Sequence, residues 1–173
     1  YGALAGIELA YSGINGPNLY SKEVPMAVSA APIRTFTNDP LQARALDKTD
    51  IRDLRRWFIN AAKRSKEAGF DLICLYGAHG FGIFQHFLSR ATNHRTDEYG
   101  GSLENRARFV NEVISDMKDA VGDKMGITLR VSLDETIGEL GFSNSEVRDF
   151  IEMNRDLPDL WDLAQGTWED CSG

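Results

Sequence analysis

Apolar residues along this chain fall into two patterns that alternate from one segment to the next. Mainly apolar runs of strand length occupy residues 4–10, 70–77, 126–132 and 159–166. The second run, "FDLICLYG", is typical of a strand buried on both faces. The intervening segments carry apolar residues at helical spacing. The pattern therefore predicts four strands and three helices, with a long connection over residues 11–49 before the first helix.

The first predicted helix has a start signal, an apolar face and an end signal. Asp50 and Asp53 resemble a capping arrangement, and Gly69 follows a basic last turn as a C-terminal cap. The spacing predicts a buried face made of Ile51, Leu54, Trp57, Phe58 and Ala61. Trp57 is accordingly expected in the core, and so is Trp161 in the last strand.

Two further helices follow the same logic. Ser102 is placed to cap a helix that Gly122 ends, because an apolar face recurs between them. Ser143 and Glu146 have the spacing of a capping box directly before Val147. Both helices are therefore expected to connect neighbouring strands.

This order of elements predicts a parallel sheet with right-handed crossovers. An open doubly wound sheet and a (β/α)8 barrel both use it, but no G-x-G-x-x-G turn lies between a strand and a helix. A complete barrel needs about 250 residues. The 173 residues present therefore predict an α/β fold of the TIM-barrel type with about half of the barrel, four parallel strands and three helices. Residues 1–173 form one partial domain, with 11–49 as a loop excursion within it.

Composition narrows the classes of partner. A net charge of −7 disfavours nucleic acid and anionic membrane surfaces, and no apolar run approaches the length of a membrane span. Two cysteines form no disulfide framework, so a reducing, cytoplasmic location is expected. The chain lacks an initiator Met and ends in a polar loop, and we interpret it as a piece of a longer protein.

Polar residues follow the predicted strands at the edge where barrel enzymes build their active sites. Tyr76 and His79 leave the second strand together, and Asp170 follows the fourth. A phenol and an imidazole there can share a proton with a substrate, and a carboxylate can fix the imidazole tautomer. Spacing alone slightly favours a structural interpretation of this pair. A metal site is disfavoured, because the histidine spacings of seven and eight match no common ligand pattern.

The segment after the second strand resembles the old yellow enzyme superfamily. Members carry a loop of the type Q-F-L, followed by N-x-R-x-D-x-Y-G-G-S-x-x-N-R-x-R-F. The matching residues here are Gln85, Phe87, Leu88, Asn93, Arg95, Asp97, Tyr99, Gly100, Gly101, Ser102, Asn105, Arg106, Arg108 and Phe109. The resemblance implies a flavin-dependent barrel, of which this chain supplies roughly strands 3 to 6. Within this segment we expect Arg95, Asp97, Tyr99 and the two glycines to fold the loop, with His86 and His94 structural or solvated.

The residues at the strand end resemble one branch of that superfamily. Ene-reductases generally carry His where this chain has Tyr76, and a proton-donating Tyr where it has Phe81. The "YGAH" sequence instead resembles the trimethylamine, dimethylamine and histamine dehydrogenases. So do "AGIELAYSG", "AAKRSKEAGFD" and "DLWDLAQG". The expected reaction is FMN-dependent oxidative dealkylation or deamination of a small amine.

The resemblance to the amine dehydrogenases implies roles for seven residues. Tyr76, His79 and Asp170 would be the catalytic trio. Two residues would bind the substrate: Trp168 as a wall of the aromatic cage, and Tyr11 at a position where relatives carry His. Two would bind the flavin: Arg130 at the N1–C2 carbonyl edge and Glu8 at the pyrimidine ring. The loop "AQGTWEDCSG" is shorter than in trimethylamine dehydrogenase, which affects the register of Trp168 and Asp170.

The resemblance also implies cofactors and partners. FMN is expected, covalently held in some relatives by a cysteine upstream of this segment, and a 4Fe-4S cluster would lie downstream. A small amine, an electron acceptor such as an electron-transfer flavoprotein, and a homo-oligomer are the expected partners. Two alternatives stay open: an ene-reductase or 2,4-dienoyl-CoA reductase type of NAD(P)H:flavin oxidoreductase, and a catalytically inactive barrel fragment.

Overall fold

The computed structural model describes residues 2–16, 23–34 and 41–166, and its core is a layer of helices against a sheet. The elements in chain order are β1 (Gly6–Leu9), β2 (Met26–Ala27), β3 (Ala31–Pro32), β4 (Gln42–Ala45), α1 (Lys48–Glu67), β5 (Leu72–Gly77), α2 (Ile83–Leu88), α3 (Leu103–Val121), β6 (Gly126–Ser132), α4 (Asn144–Met153) and β7 (Leu160–Ala164). No helix within the described ranges is long and apolar enough to cross a bilayer.

Four of these strands form a parallel sheet in the order β1-β5-β6-β7, as the apolar runs predict. Buried and half-buried side chains alternate along β5, whereas the sequence predicts burial on both faces. Ile73 and Leu75 are fully buried beneath the helices, whereas Cys74 and Tyr76 on the other face are half-buried. A four-stranded arc explains this difference, because its inner, concave face is not closed by further strands.

Helix α1 begins earlier than the capping signal predicts. The N-cap is Asp47, whose carboxylate accepts from the N–H groups of Thr49 and Asp50, while Asp50 accepts in return from the Asp47 N–H. The prediction of Trp57 as a core residue is wrong, since it is 45% exposed. The buried stripe consists of Ile51, Leu54, Phe58, Ala62 and Ser65. These buried residues are spaced three or four positions apart, and Ala62 and Ser65 take the place of the predicted Trp57 and Ala61.

The other two predicted helices begin where expected, but the predicted capping box of α4 is not formed. Ser102 caps α3 by accepting from the Asn105 N–H, and Gly122 ends it with a φ of 64°. Ser143 is the N-cap residue of α4, but its side chain makes no capping bond. Glu146 binds Arg106 instead of closing a capping box. The buried guanidinium outcompetes a backbone N–H for this carboxylate, because an ion pair is the stronger contact.

Two features have no clear sequence signal. Within the 11–49 connection, β2, β4 and β3 form a small sheet of their own, with β4 in the centre. Strands of two residues are too short to show a period. Helix α2 is buried at all six positions and therefore lacks the polar face that would mark it as amphipathic.

The superfamily-like segment holds these irregular parts together, as expected for its structural residues. Arg95 donates to the carbonyls of Val28 and Leu46 beside the small sheet, and pairs with Asp97 at 2.6 Å. A Cβ on Gly100 would overlap the Arg95 backbone, so only glycine fits there. These contacts fix the loop against the 11–49 excursion.

Candidate active site

The inner face of the sheet carries a group of polar side chains near the carboxyl ends of its strands. The register puts Tyr76 of β5 opposite Arg130 of β6, and Arg130 opposite Asp162 of β7. Two residues before Tyr76 on β5, Cys74 lies opposite Glu8 of β1. Because side chains alternate along each strand, these residues share one face of the sheet.

Tyr76 and His79 form the shortest contact of the group. The Tyr76 Oη and the His79 Nδ1 lie 2.5 Å apart and share a hydrogen bond. His79 adopts a left-handed backbone conformation, with φ of 59°, and its N–H donates to the Ser132 Oγ at 2.6 Å. Phe81 packs edge-on against the Tyr76 ring at 6.0 Å. The structure therefore brings together the phenol and the imidazole that the sequence predicts to act as a pair.

Arg130 is enclosed by two carboxylates and an aromatic ring. Its Nε lies 3.1 Å from the Asp162 Oδ2, and its Nη1 lies 3.8 Å from the Glu8 Oε2. The contact with Asp162 has the distance of an ion pair without the angle of a hydrogen bond. The guanidinium carbon sits 5.8 Å from the centroid of the Tyr76 ring, within cation–π range. A fixed positive charge is thus held beside the phenol.

Asp162 is a member of this group that sequence reasoning missed. A signal was present, because an aspartate interrupts the apolar run "DLWDLAQG" and falls in register with Arg130. Its carboxylate also affects Cys74. Burial raises the pKa of the Cys74 thiol, and the nearby charges of Glu8 and Asp162 raise it further. The thiol is therefore protonated at neutral pH and a weak nucleophile.

Tyr11 lies in a separate cavity of about 730 Å³ between the start of the 11–49 connection and α1. Its ring is 6.5 Å from that of Trp57, and burial raises the pKa of its hydroxyl. Arg44 and Asp50, which both line this cavity, form a bidentate ion pair. The hydrogen bonds from Arg44 lower the pKa of the Asp50 carboxyl to about 2. The described lining residues include none of Tyr76, His79 and Arg130.

The predicted residues Trp168 and Asp170 lie outside the described residues, which end at Gly166. Gly166 itself is close to the site, because its carbonyl accepts from the Ser132 Oγ at 3.4 Å. Ser132 therefore contacts both the loop after β5 and the chain that leads toward Asp170. The roles of Trp168 and Asp170 remain predictions.

The remaining histidines do not join the group. His86 is buried, and its Nε2 lies 3.2 Å from the Gly80 carbonyl oxygen, to which it donates. Burial lowers the pKa of His86 to about 4, so the ring is neutral at physiological pH. His94 is exposed. Among residues 2–16, 23–34 and 41–166, no three His, Cys, Asp or Glu side chains are grouped as metal ligands.

One enzyme family and several known proteins are similar to this chain in sequence or structure. The sequence profile of the NADH:flavin oxidoreductase / NADH oxidase family matches residues 1–171. The structure of histamine dehydrogenase from Rhizobium sp. 4-9 aligns with a TM-score of 0.94 and 83% identity, covering 99% of this chain and 25% of that one. Dimethylamine dehydrogenase from Hyphomicrobium sp. (strain x) is 34% identical over 96% of this chain and 23% of its own length.

A related protein of another activity matches a similar stretch. NADPH dehydrogenase from Clostridium acetobutylicum is 37% identical over 96% of this chain and 47% of its own length. The chain thus spans about a quarter to a half of the length of these proteins. The parallel sheet and its helices correspond to part of a (β/α)8 barrel, which confirms the predicted fold class.

Proposed function

This chain belongs to the NADH:flavin oxidoreductase / NADH oxidase family, and we propose that it forms the substrate side of an FMN-dependent amine dehydrogenase. The reaction would be oxidative dealkylation or deamination of a small amine. The observation that carries the proposal is the hydrogen bond between Tyr76 and His79, 2.5 Å long, at the mouth of the half-barrel. The similarity to histamine and dimethylamine dehydrogenases supports it.

The residues at the mouth fit the edge of a flavin ring. The pyrimidine edge of a flavin presents two carbonyl oxygens and one N–H group, so it needs a donor and an acceptor from the protein. Arg130 supplies only donors and Glu8 only acceptors, and both side chains are partly exposed on the inner face. Arg130 would hold a carbonyl oxygen and Glu8 the N–H. Bound FMN would supply a two-electron acceptor for the amine.

The protein's own groups would manage the proton of the amine. A small alkylamine is a cation at neutral pH, and its lone pair must be free before the adjacent C–H bond is oxidised. His79 shares a proton with Tyr76 through a short hydrogen bond, so the pair can accept a proton from the ammonium group. We propose that Asp170 orients the imidazole and that Trp168 binds the ammonium group, as the resemblance implies. Tyr11 is retained as a more remote substrate contact.

The charge on Arg130 has a second effect in this arrangement. It lies over the ring of Tyr76 at 5.8 Å and therefore favours negative charge on the phenol oxygen. This attraction assists transfer of the phenolic proton toward His79. Asp162 and Glu8 oppose the effect by partly neutralising the guanidinium. The ease of proton transfer from Tyr76 to His79 thus depends on the positive charge of Arg130 and the negative charges of Glu8 and Asp162.

An ene-reductase or 2,4-dienoyl-CoA reductase type of NAD(P)H:flavin oxidoreductase is the second candidate. The NADPH dehydrogenase relative favours it. Against it, the ring packed edge-on against Tyr76 is Phe81, which has no hydroxyl to donate a proton to an alkene carbon. A substrate carbonyl would also meet Tyr76 rather than a second imidazole.

Anaerobic mixing of the full-length, flavin-loaded protein with substrates separates these two functions. We expect histamine or dimethylamine to bleach the oxidised-flavin absorbance, and the rate to fall as the pH is lowered because fewer amine molecules lose their proton. A flavin that no amine reduces, but that NADPH reduces and an enone reoxidises, would establish the second candidate. A pH-independent rate of reduction by amines would contradict the proton-accepting role of the Tyr76–His79 pair.

The half-barrel by itself is proposed to be inactive, which is the third possibility. The edge strand β7 exposes Leu160 by 57% and Leu163 by 49%, as expected where a further strand and helix would pack. We expect the 173 residues alone to bind FMN weakly or not at all. Purification of the isolated chain with one equivalent of tightly bound flavin would contradict this expectation.

The remaining cofactors and partners of the proposal follow from the amine dehydrogenase resemblance. They are a 4Fe-4S cluster encoded downstream, an electron acceptor such as an electron-transfer flavoprotein, a homo-oligomeric assembly and a cytoplasmic location. A covalent bond to FMN would use an upstream cysteine, as the resemblance implies; the thiol of Cys74 is half-buried and its pKa is raised, which makes it a poor candidate. Iron analysis and mass spectrometry of the denatured holoenzyme test the cluster and the covalent bond directly.

A further inference from the structure

The backbone at His79 is held in a conformation that most residues avoid. Its φ is 59°, and Thr136 is the only other non-glycine residue with positive φ in the described part of the chain. The left-handed region is unfavourable for a residue with a Cβ, so the surroundings must impose it. In this conformation the imidazole Nδ1 lies within hydrogen-bond distance of the Tyr76 Oη. The geometry of the pair therefore depends on whatever holds the His79 backbone.

Ser132 is the side chain that binds this backbone. Its Oγ accepts from the His79 N–H at 2.6 Å, and the residue is fully buried. The strand register explains the contact: Gly77 lies opposite Val131, so Ser132 stands beside the first residue after β5. His86 supports the following peptide by donating to the Gly80 carbonyl. A buried hydroxyl thus fixes the turn at the point where the imidazole departs.

The same hydroxyl has a second partner in the next loop of the barrel. Its proton points to the Gly166 carbonyl at 3.4 Å, and its lone pair receives the His79 N–H, so both functions of the hydroxyl are used. The Leu133 N–H donates to the Ala164 carbonyl at 2.8 Å and keeps the two chains adjacent. Ser132 therefore joins the loop after β5 to the loop after β7.

We propose that Ser132 is a positioning residue for His79. The inference rests on the proposed function, since it assigns a support to the Tyr76–His79 pair. Ser132 itself would touch neither amine nor flavin, because it is buried and both of its hydrogen bonds go to backbone groups. Its hydroxyl sets the direction of the imidazole and links that direction to the chain preceding Asp170.

The test compares Ser132→Ala with a matched buried serine in the full-length, flavin-loaded protein. Ser89 is also fully buried, and its Oγ donates to the Glu135 Oε2 at 2.5 Å. Ser89 makes no hydrogen bond to His79. Ser132→Ala is expected to slow amine-dependent flavin reduction by roughly 10- to 100-fold and to alter its pH profile. Ser89→Ala likewise removes both hydrogen bonds of a buried hydroxyl, the one to Glu135 Oε2 and the one from the Ala91 N–H, but should retain the pH profile. Ser132→Thr, which keeps the hydroxyl, should restore most of the rate.

A second readout makes the result independent of amine turnover. In the full-length, flavin-loaded protein with 15N-labelled histidine, His79→Gln assigns the His79 ring signals, and their pH titration reports the hydrogen bond to Tyr76. We expect Ser132→Ala to change this titration and Ser89→Ala to leave it as in the wild type. Wild-type rates and titration in Ser132→Ala, or equal changes in both variants, would overturn the proposal. If no amine reduces the wild-type flavin, the proposed function fails while the titration still decides the role of Ser132.

Discussion

Replacing Arg106 tests whether the superfamily-like segment stabilises the fold or serves the chemistry. The Arg106 side chain is 1% exposed and lies at the start of α3. It donates to the carbonyls of Leu88 and Gly101, and it pairs with the Glu146 carboxylate. None of these three partners belongs to the group of inner-face residues around Tyr76 and Arg130. We therefore expect Arg106→Met to lower stability and to leave the reaction with an amine intact.

The size of the effect follows from these three contacts. Removing one partner of a buried ion pair typically costs about 3–5 kcal/mol. Glu146 is 15% exposed and keeps Arg90 at 2.7 Å, which reduces the loss. The Leu88 carbonyl, however, loses a buried donor, which costs about 1–3 kcal/mol when water cannot replace it. The expected loss is therefore about 3–4 kcal/mol, a large share of the roughly 5–15 kcal/mol that stabilises a typical domain.

A urea titration of the full-length, flavin-loaded protein measures this loss, and Arg108→Met is the matched control. Arg108 lies on the same helix but is exposed, and it donates to the Glu98 carbonyl and the Asn105 Oδ1. Its replacement should cost less than about 1 kcal/mol. Equal losses in the two variants would refute the reasoning from burial. A normal free energy of unfolding with abolished flavin reduction in Arg106→Met would place this residue in the chemistry instead.

Three further predictions concern the site and its surroundings. Tyr76→Phe should slow flavin reduction by an amine roughly 100-fold or more by removing the phenolic proton, and stopped-flow rates equal to wild type would exclude that role. Asp162→Asn should raise the flavin midpoint potential because Arg130 then stabilises the reduced, anionic ring more strongly, whereas Asp156→Asn at a 96% exposed position should not. His86 has a folded pKa of about 4, below the ordinary value of 6.5. Its neutral burial therefore contributes stability above pH 6.5 that is lost as the pH falls toward 4, and His86→Leu should flatten this part of the stability–pH curve.

The parts of the fold that could be predicted are those with a strong local signal. Strand β6 has the predicted bounds because the mainly apolar run "GITLRVS" lies between Gly122, which ends the preceding helix, and a polar loop. Helix α3 begins directly after its N-cap Ser102, as expected, since the capping residue and the apolar period agree. The half-barrel itself followed from the alternation of strands and helices. The signals for these features are local in the sequence, although the sheet itself pairs strands that are far apart in the chain.

The parts that could not be predicted depend on such distant contacts. Glu146 has capping-box spacing, but a buried guanidinium 40 residues away takes its carboxylate. The start of α1 moved to Asp47 because two aspartates satisfy each other there, a choice that spacing alone does not rank. Asp162 needed the strand register before its pairing with Arg130 became visible. The positive φ of His79 could not be predicted from the sequence, because only a small fraction of residues adopt it even though histidine is among the enriched types.

The two kinds of site residue differ in what their side chains bind. Residues of the superfamily-like segment, such as Arg95 and Arg106, direct their charged groups to backbone carbonyls and to carboxylates of neighbouring loops and helices. Tyr76, Arg130 and Asp162 direct theirs to one another on the open inner face. A shared segment can therefore keep the same loops in place in enzymes of different activity, while a few inner-face positions set the chemistry. Ser132 belongs to neither kind, since it is buried like the first and orients a member of the second.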